Sequence, residues 1–165
     1  MNLRVAAEPT YDSVVDGPGL RTVIWCQGCQ HHCPECHNPA THTLHEGFVK
    51  EADTLLAEIL AAELQSGVTF SGGEPMLQPE SCAYIAEALK EKGLNIWCYT
   101  GFTWEELREK PACQAFLRSV DVLIDGKFVA SLKSYDLAFC GSANQRVIDV
   151  QRSLQSGYIV LWDSK

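Results

Sequence analysis

Four of the eight cysteines, Cys26, Cys29, Cys33 and Cys36, fall within eleven residues, while Cys82, Cys98, Cys113 and Cys140 lie singly. A chain that crowds thiols in this way must fold so that one loop carries them to one place. Residues 1–10 contain no apolar segment of the signal-peptide kind, so a disulfide framework is the poorer reading. Thiols clustered in a reducing compartment point instead to metal, because thiolates are soft ligands suited to zinc and to iron–sulfur clusters. Counted with Cys26 the spacing is CxxC-x3-CxxC, a four-thiolate set; counted without it the spacing is CxxxCxxC, a three-thiolate set. Zinc ribbons separate their two CxxC pairs by roughly 15–20 residues, and only three intervene here. Three thiolates hold three corners of a cubane and leave one iron open to a ligand, whereas four close it. Cys26 ends a β-rich run beside Trp25, where a cysteine serves as a small buried hydrophobe. The favoured set is therefore Cys29, Cys33 and Cys36, with zinc and a four-cysteine cluster as the alternatives. His31 and His32 read as solvated loop residues, and His37 as a residue lining the pocket.

The rest of the chain sets the frame for that loop. Its 165 residues suit one domain, taken as 1–165. A hydrophobic fraction of 46% and a charged fraction of 21% are those of a globular protein. The net charge of −8, with no basic run, argues against nucleic acid as a partner. No run of about 18 uncharged apolar residues predicts a membrane span, so the expected location is the cytoplasm.

Strand-like and helix-like segments alternate. Residues 21–25 form a β-rich run that feeds the cysteines. Residues 54–66 carry Leu56, Leu60 and Leu64 at helical spacing, and residues 68–70 form a strand broken by Ser71, Gly72 and Gly73. Residues 79–92 read as a helix with Pro79 at its start and Gly93 beyond its end. Residues 94–99 form a strand closed by Thr100 and Gly101. Thr103 and Glu106 have the spacing of a capping box. Residues 120–124 form a buried strand ending at Asp125, Gly126 and Lys127, and 146–150 and 158–162 are short β-like runs. This alternation predicts parallel βαβ units. Six strand candidates are too few for a closed eight-stranded barrel, so the expected fold is an α/β, partial parallel barrel. Every unusual motif then falls at the carboxyl end of a strand, where such sheets place their sites.

The CxxxCxxC motif resembles that of the radical S-adenosylmethionine (SAM) superfamily, which implies a radical SAM type of partial barrel. Asp16, Gly17, Pro18 and Gly19, with Arg21, resemble the DGPGxR signature of glycyl-radical-enzyme activases. Ser71, Gly72, Gly73, Glu74 and Pro75 match the superfamily's GGEP motif. The segments from Val122 to Phe128 and from Gly141 to Arg146 are similar to the late segments of activases of anaerobic ribonucleoside-triphosphate reductase. The resemblance runs from about Tyr11 to Leu154 and implies one 4Fe–4S cluster on Cys29, Cys33 and Cys36, with SAM on its open iron. It further implies one-electron cleavage of SAM to a 5′-deoxyadenosyl radical, which takes a hydrogen atom from a backbone glycine of the partner. The cofactors carry that chemistry, so no protein acid, base or nucleophile is expected at the reacting carbon.

The same resemblance assigns cofactor-binding roles. Gly72 and Gly73, after Ser71, leave the strand end bare for the methionine amine, and Glu74 helps orient that end. Glu35, Cys36 and His37 are counted with the cofactor pocket, Glu35 standing where the superfamily often has an aromatic residue that contacts adenine. Thr100 is placed near the ribose or methionine carboxylate. Asp125 and Lys127 match a DxK pattern close to that carboxylate, with a monovalent cation at Asp125 in some relatives. The implied partners are a glycyl radical enzyme, foremost anaerobic ribonucleoside-triphosphate reductase, and a low-potential electron donor such as flavodoxin. The alternatives are an activase of formate-lyase type, a radical SAM enzyme acting on a small molecule, and a zinc-binding interaction module.

Overall fold

The computed structural model describes residues 1–163. Eight strands form one sheet: β1 (Asn2–Val5), β2 (Thr10–Ser13), β3 (Arg21–Cys26), β4 (Phe48–Glu51), β5 (Gly67–Gly72), β6 (Asn95–Tyr99), β7 (Val122–Asp125) and β8 (Arg146–Asp149). The sheet order is β4-β1-β3-β5-β6-β7-β8, and β2 pairs with β3. Its centre, β3-β5-β6-β7, is parallel, while β1, β2, β4 and β8 pair antiparallel at the flanks. The sheet stays open, a partial α/β barrel. Five of the six expected candidates are strands, and β1, β2 and β4 join them without adding parallel staves.

Helices α1 (Ala52–Ala61), α2 (Pro79–Glu91), α3 (Trp104–Arg108) and α4 (Gln114–Ser119) carry the parallel crossovers, and α5 (Val150–Ser156) follows β8. Side chains alternate across each strand. Val68, Phe70, Ile96, Cys98 and Leu123 join the main core together with Leu55, Ile59, Ile85, Leu89 and Phe116 of the helices. Trp97, Val122 and Ile124 point to the other face and pack with Tyr99, Phe139 and Trp162. Arg21 is buried on that second face. It donates to Thr69 Oγ1 (2.8 Å), Pro18 O (3.2 Å) and Asn95 O (3.0 Å), and stands over the Trp97 ring. These bonds pin the turn of Asp16 to Gly19 to the start of the sheet, and burial lowers the guanidinium pKa to about 10.

Two expected elements end differently. Helix α1 stops at Ala61, five residues short, because Ala62 turns to extended backbone and Leu64 takes a φ of +66°. The chain needs these residues to swing into β5, and Ser66 N–H bonds Leu20 O (2.7 Å) there. Leu64 is consequently 85% exposed, outside the apolar stripe that its spacing suggested. The run 158–162 forms no full strand. After Gly157, left-handed at φ 81°, it returns along β8 through one bridge, Ile148 with Leu161.

Candidate functional site

The carboxyl ends of the four parallel strands open on one cleft of about 630 Å3. Cys29, Cys33 and Cys36 line it from the loop after β3, Ser71, Gly72 and Gly73 from the end of β5, Thr100 and Gly101 from the end of β6, and Gly126 and Phe128 from beyond β7. Asp16, Val14 and Val15 form part of the mouth.

The cysteine loop is held by backbone bonds to the segment that follows it and to the end of β5. Gly28 N–H reaches Thr41 O (2.7 Å) and Cys29 N–H reaches His42 O (3.1 Å). From the β5 side, Gly73 N–H donates to Cys26 O and Glu74 N–H to Gly28 O, both at 2.7 Å. The two glycines are required at this crossing. Gly72 has a φ of +97°, and a Cβ there would stand 2.6 Å from Cys26 N and O. A Cβ on Gly73 would stand 2.4 Å from Gly28 O. The bareness expected for ligand approach is already needed for the chain to approach itself.

Of the four clustered cysteines the cleft takes three, Cys29, Cys33 and Cys36. Cys26 is wholly buried, belongs to the core, and meets Cys82, whose thiol is held well above its ordinary pKa by burial and by this sulfur neighbour. Burial likewise raises Cys98 and Cys113. Cys29 is half-buried, and burial raises its thiol too, partly offset by a backbone hydrogen bond. Among the described residues no three His, Cys, Asp or Glu side chains are placed to hold a single ion; Cys29, Cys33 and Cys36 share the lining of one cleft. This donor set fits a cluster whose irons are themselves spread over the corners of a cubane and one of which stays open. Cys140 also lines the cleft, from the opposite wall.

The remaining expected residues divide. His37 lines the cleft, with its ring 4.9 Å from that of Phe128. Thr100 lines it as well, but its hydroxyl donates to Glu74 Oε1 (2.8 Å). Glu74 lies beneath the cleft rather than in it, only 1% exposed. Its Oε1 accepts from Thr100, from Gly101 N–H (2.8 Å) and from His31 Nε2 (2.7 Å), and its Oε2 from Met76 N–H (2.9 Å). Glu35 is exposed with a φ of +57° and does not line the cleft, because the turn between Cys33 and Cys36 directs it outward. Asp125 is buried and committed elsewhere. It accepts from Trp104 N–H (2.8 Å) and from Arg146 Nη2 (2.6 Å), so a guanidinium occupies the side where a monovalent cation was expected. Lys127 is exposed and borders a separate depression with Glu105 and Arg146.

Reading the sequence alone missed His31. Its ring is 9% exposed, held on Glu74 and edge-on to Phe102 at 4.6 Å, and is no solvated loop residue. No periodicity marks it; only its place between two candidate ligands could have drawn attention.

Comparisons with known proteins agree with this geometry. Residues 15–148 match the family model of the 4Fe-4S single cluster domain. The anaerobic ribonucleoside-triphosphate reductase-activating protein of Salmonella typhi is 36% identical over 143 residues, 81% of this chain and 91% of that protein. The pyruvate formate-lyase-activating enzyme of Clostridium pasteurianum is 44% identical over 87 residues, 50% of this chain and 37% of that enzyme. The crystal structure of QueE from Escherichia coli superposes with a TM-score of 0.53 at 18% identity, covering 62% of this chain and about half, 54%, of that one, a likeness of fold. By its matched domain and by similarity over 81% of its length, the chain belongs to the 4Fe–4S single cluster domain family and, within it, to the anaerobic ribonucleoside-triphosphate reductase-activating proteins.

Proposed function

We propose that the chain, acting as a single domain, is a radical SAM activase that cleaves SAM reductively and removes a hydrogen atom from a backbone glycine of anaerobic ribonucleoside-triphosphate reductase, leaving a glycyl radical. The observation that carries this reading is the meeting of three thiols and the bare Gly72–Gly73 strand end on one cleft, in a chain 36% identical to such an activating protein over 81% of its length. Cys29, Cys33 and Cys36 hold a 4Fe–4S cluster, and Ser71, Gly72, Gly73 and Thr100 line the SAM side. When bound, the cluster and SAM supply a one-electron cleavage of the sulfonium that ends in hydrogen abstraction.

The chain's own part is to position and to enclose. Burial of Cys26 removes the fourth thiol that would close the cluster. Glu74 fixes the two turns beside the ligand from below, and His37 and Phe128 line the cleft ring against ring. Asp125 acts through Arg146 and the start of α3 in this reading, and Lys127 stays at the rim. The electron comes from a low-potential donor of flavodoxin type, and the setting is the cytoplasm.

Anaerobic reconstitution with iron and sulfide, followed by dithionite and SAM, tests this. The expected result is about four irons per chain, SAM-dependent 5′-deoxyadenosine, and a glycyl radical signal on added anaerobic reductase. A colourless, zinc-loaded chain that forms no 5′-deoxyadenosine would falsify the proposal. Radical formation on pyruvate formate-lyase alone would reassign the partner.

A further inference from the structure

His31 sits between the first two thiols of the cysteine loop, yet three contacts seat its ring away from solvent. Nε2 lies 2.7 Å from Glu74 Oε1. The ring meets Phe102 edge-on at 4.6 Å. It also covers Gly101 so closely that a Cβ there would stand 2.4 Å from His31 Cδ2. The other groups on Glu74 are all donors, namely Thr100 O–H, Gly101 N–H and Met76 N–H. Glu74 Oε1 is therefore an acceptor, and His31 carries its proton on Nε2. The backbone of the loop is tied to the end of β5 at Gly28, which accepts from Glu74 N–H, and to His42 at Cys29, and it folds on itself between Cys33 and Cys36; His31 adds a tie between Cys29 and Cys33 through its side chain. One carboxylate thus joins three motifs that are far apart in sequence: the cysteine loop, the Gly73–Glu74 turn and the Thr100–Gly101 turn.

We propose that His31 is a positioning residue that sets the cysteine loop against these two turns, so that the affinity for SAM depends on it while the capacity to bind iron does not. The inference rests on the reading of the cleft as a cluster and SAM site. Three ligand thiols suffice to hold iron wherever the loop lies. SAM must touch both the open iron and the strand ends, and so requires the two to be in register. The bareness of Gly101 is part of the same device, since only glycine leaves room for the imidazole.

The test compares wild type with His31→Ala, His31→Gln and Gly101→Ala. Amide exchange is followed in the metal-free chain. Iron content and the SAM dissociation constant by calorimetry are measured after anaerobic reconstitution. In His31→Ala, exchange of the Cys29–Cys36 loop and of the Gly101 amide should quicken by about tenfold, the effect of losing one hydrogen bond to a charged group. SAM affinity should fall by a similar factor with iron per chain unchanged. Glutamine, whose amide can donate to Glu74, should recover most of both effects, and Gly101→Ala should reproduce the loss. Unchanged exchange at Gly101 in His31→Ala, or loss of iron with SAM affinity intact in the chains that remain loaded, overturns the proposal. A wild-type chain that takes up neither cluster nor SAM overturns the functional reading instead, and this is seen before any variant is compared.

Discussion

Cys29, Cys33 and Cys36 owe their availability to neighbours that do not compete with them. Cys33→Ala should abolish cluster binding and SAM cleavage together, measured as iron per chain and 5′-deoxyadenosine. Cys26→Ala should retain both, at a cost of about 1 kcal/mol for a buried substitution, and loss of the cluster in that variant would point to a four-thiolate site. Gly73→Ala places a methyl against the Gly28 and Thr41 carbonyls. These are backbone atoms that cannot swing aside, so denaturant melts should show a loss of about 1–3 kcal/mol and iron retention should fall with it. The thiols that reach the cleft were legible in the sequence because they are clustered, and Cys26 was set apart from them by its place at the end of a β-rich run. The role of Glu74 was legible only in part: the motif marked the residue, but its four donors lie on segments 2 to 43 positions away, and no local pattern reports them.

The elements were legible where local chemistry decides them. The capping box of α3 is present as its spacing suggested, with Thr103 Oγ1 accepting from Glu106 N–H (3.1 Å) and Glu106 Oε2 from Thr103 N–H (2.8 Å). Thr103→Ala should therefore cost about 1 kcal/mol in thermal or denaturant unfolding. Elements set by tertiary pairing were hidden. Strands β1, β2 and β4 are four residues long; β2 and β4 are largely exposed, so no buried alternation announced them, and the alternation of β1, with Leu3 and Val5 buried, is too short to stand alone. The leucine spacing that overran α1 failed because a strand must start at Gly67, which no periodicity records. Arg146 is another tertiary product, linking β8 to Asp125 and to Glu105 of α3. Its hydrogen bonds hold the Glu105 carboxyl below its ordinary range. A depressed carboxylate contributes stability that is fully present above its unfolded pKa and is lost as pH falls through the folded one. Arg146→Gln should melt below wild type at pH 7, with the Glu105 part of the gap closing under acid. That part is small, because Glu105 is largely in solvent.

At the scale of the molecule, topology rather than any single residue makes the site. Four strand ends that the alternation of elements placed side by side do open on one cleft. What the pattern could not show is which side chains face it, since Asp125 lies one position before Gly126 of the cleft and still points to Arg146. The fold also sorts its eight cysteine sulfurs into two populations. Cys29, Cys33, Cys36 and Cys140 are partly exposed at the cleft, whereas Cys26, Cys82, Cys98 and Cys113 lie within the core. A thiol-alkylating reagent applied to the native, metal-free chain should label the first group and reach the second only on unfolding, as read by peptide mass.

That sorting governs how such a protein ages. Were the proposed cluster lost to air, the sulfurs open to oxidation would be those at the cleft, where disulfides and sulfenic acids can be reduced again. The sulfurs whose oxidation would push polar bulk into the packed interior are sealed from the oxidant. Damage is thereby confined to the part of the molecule that can be rebuilt, and a chain stripped of its cluster keeps the scaffold on which the next one is assembled.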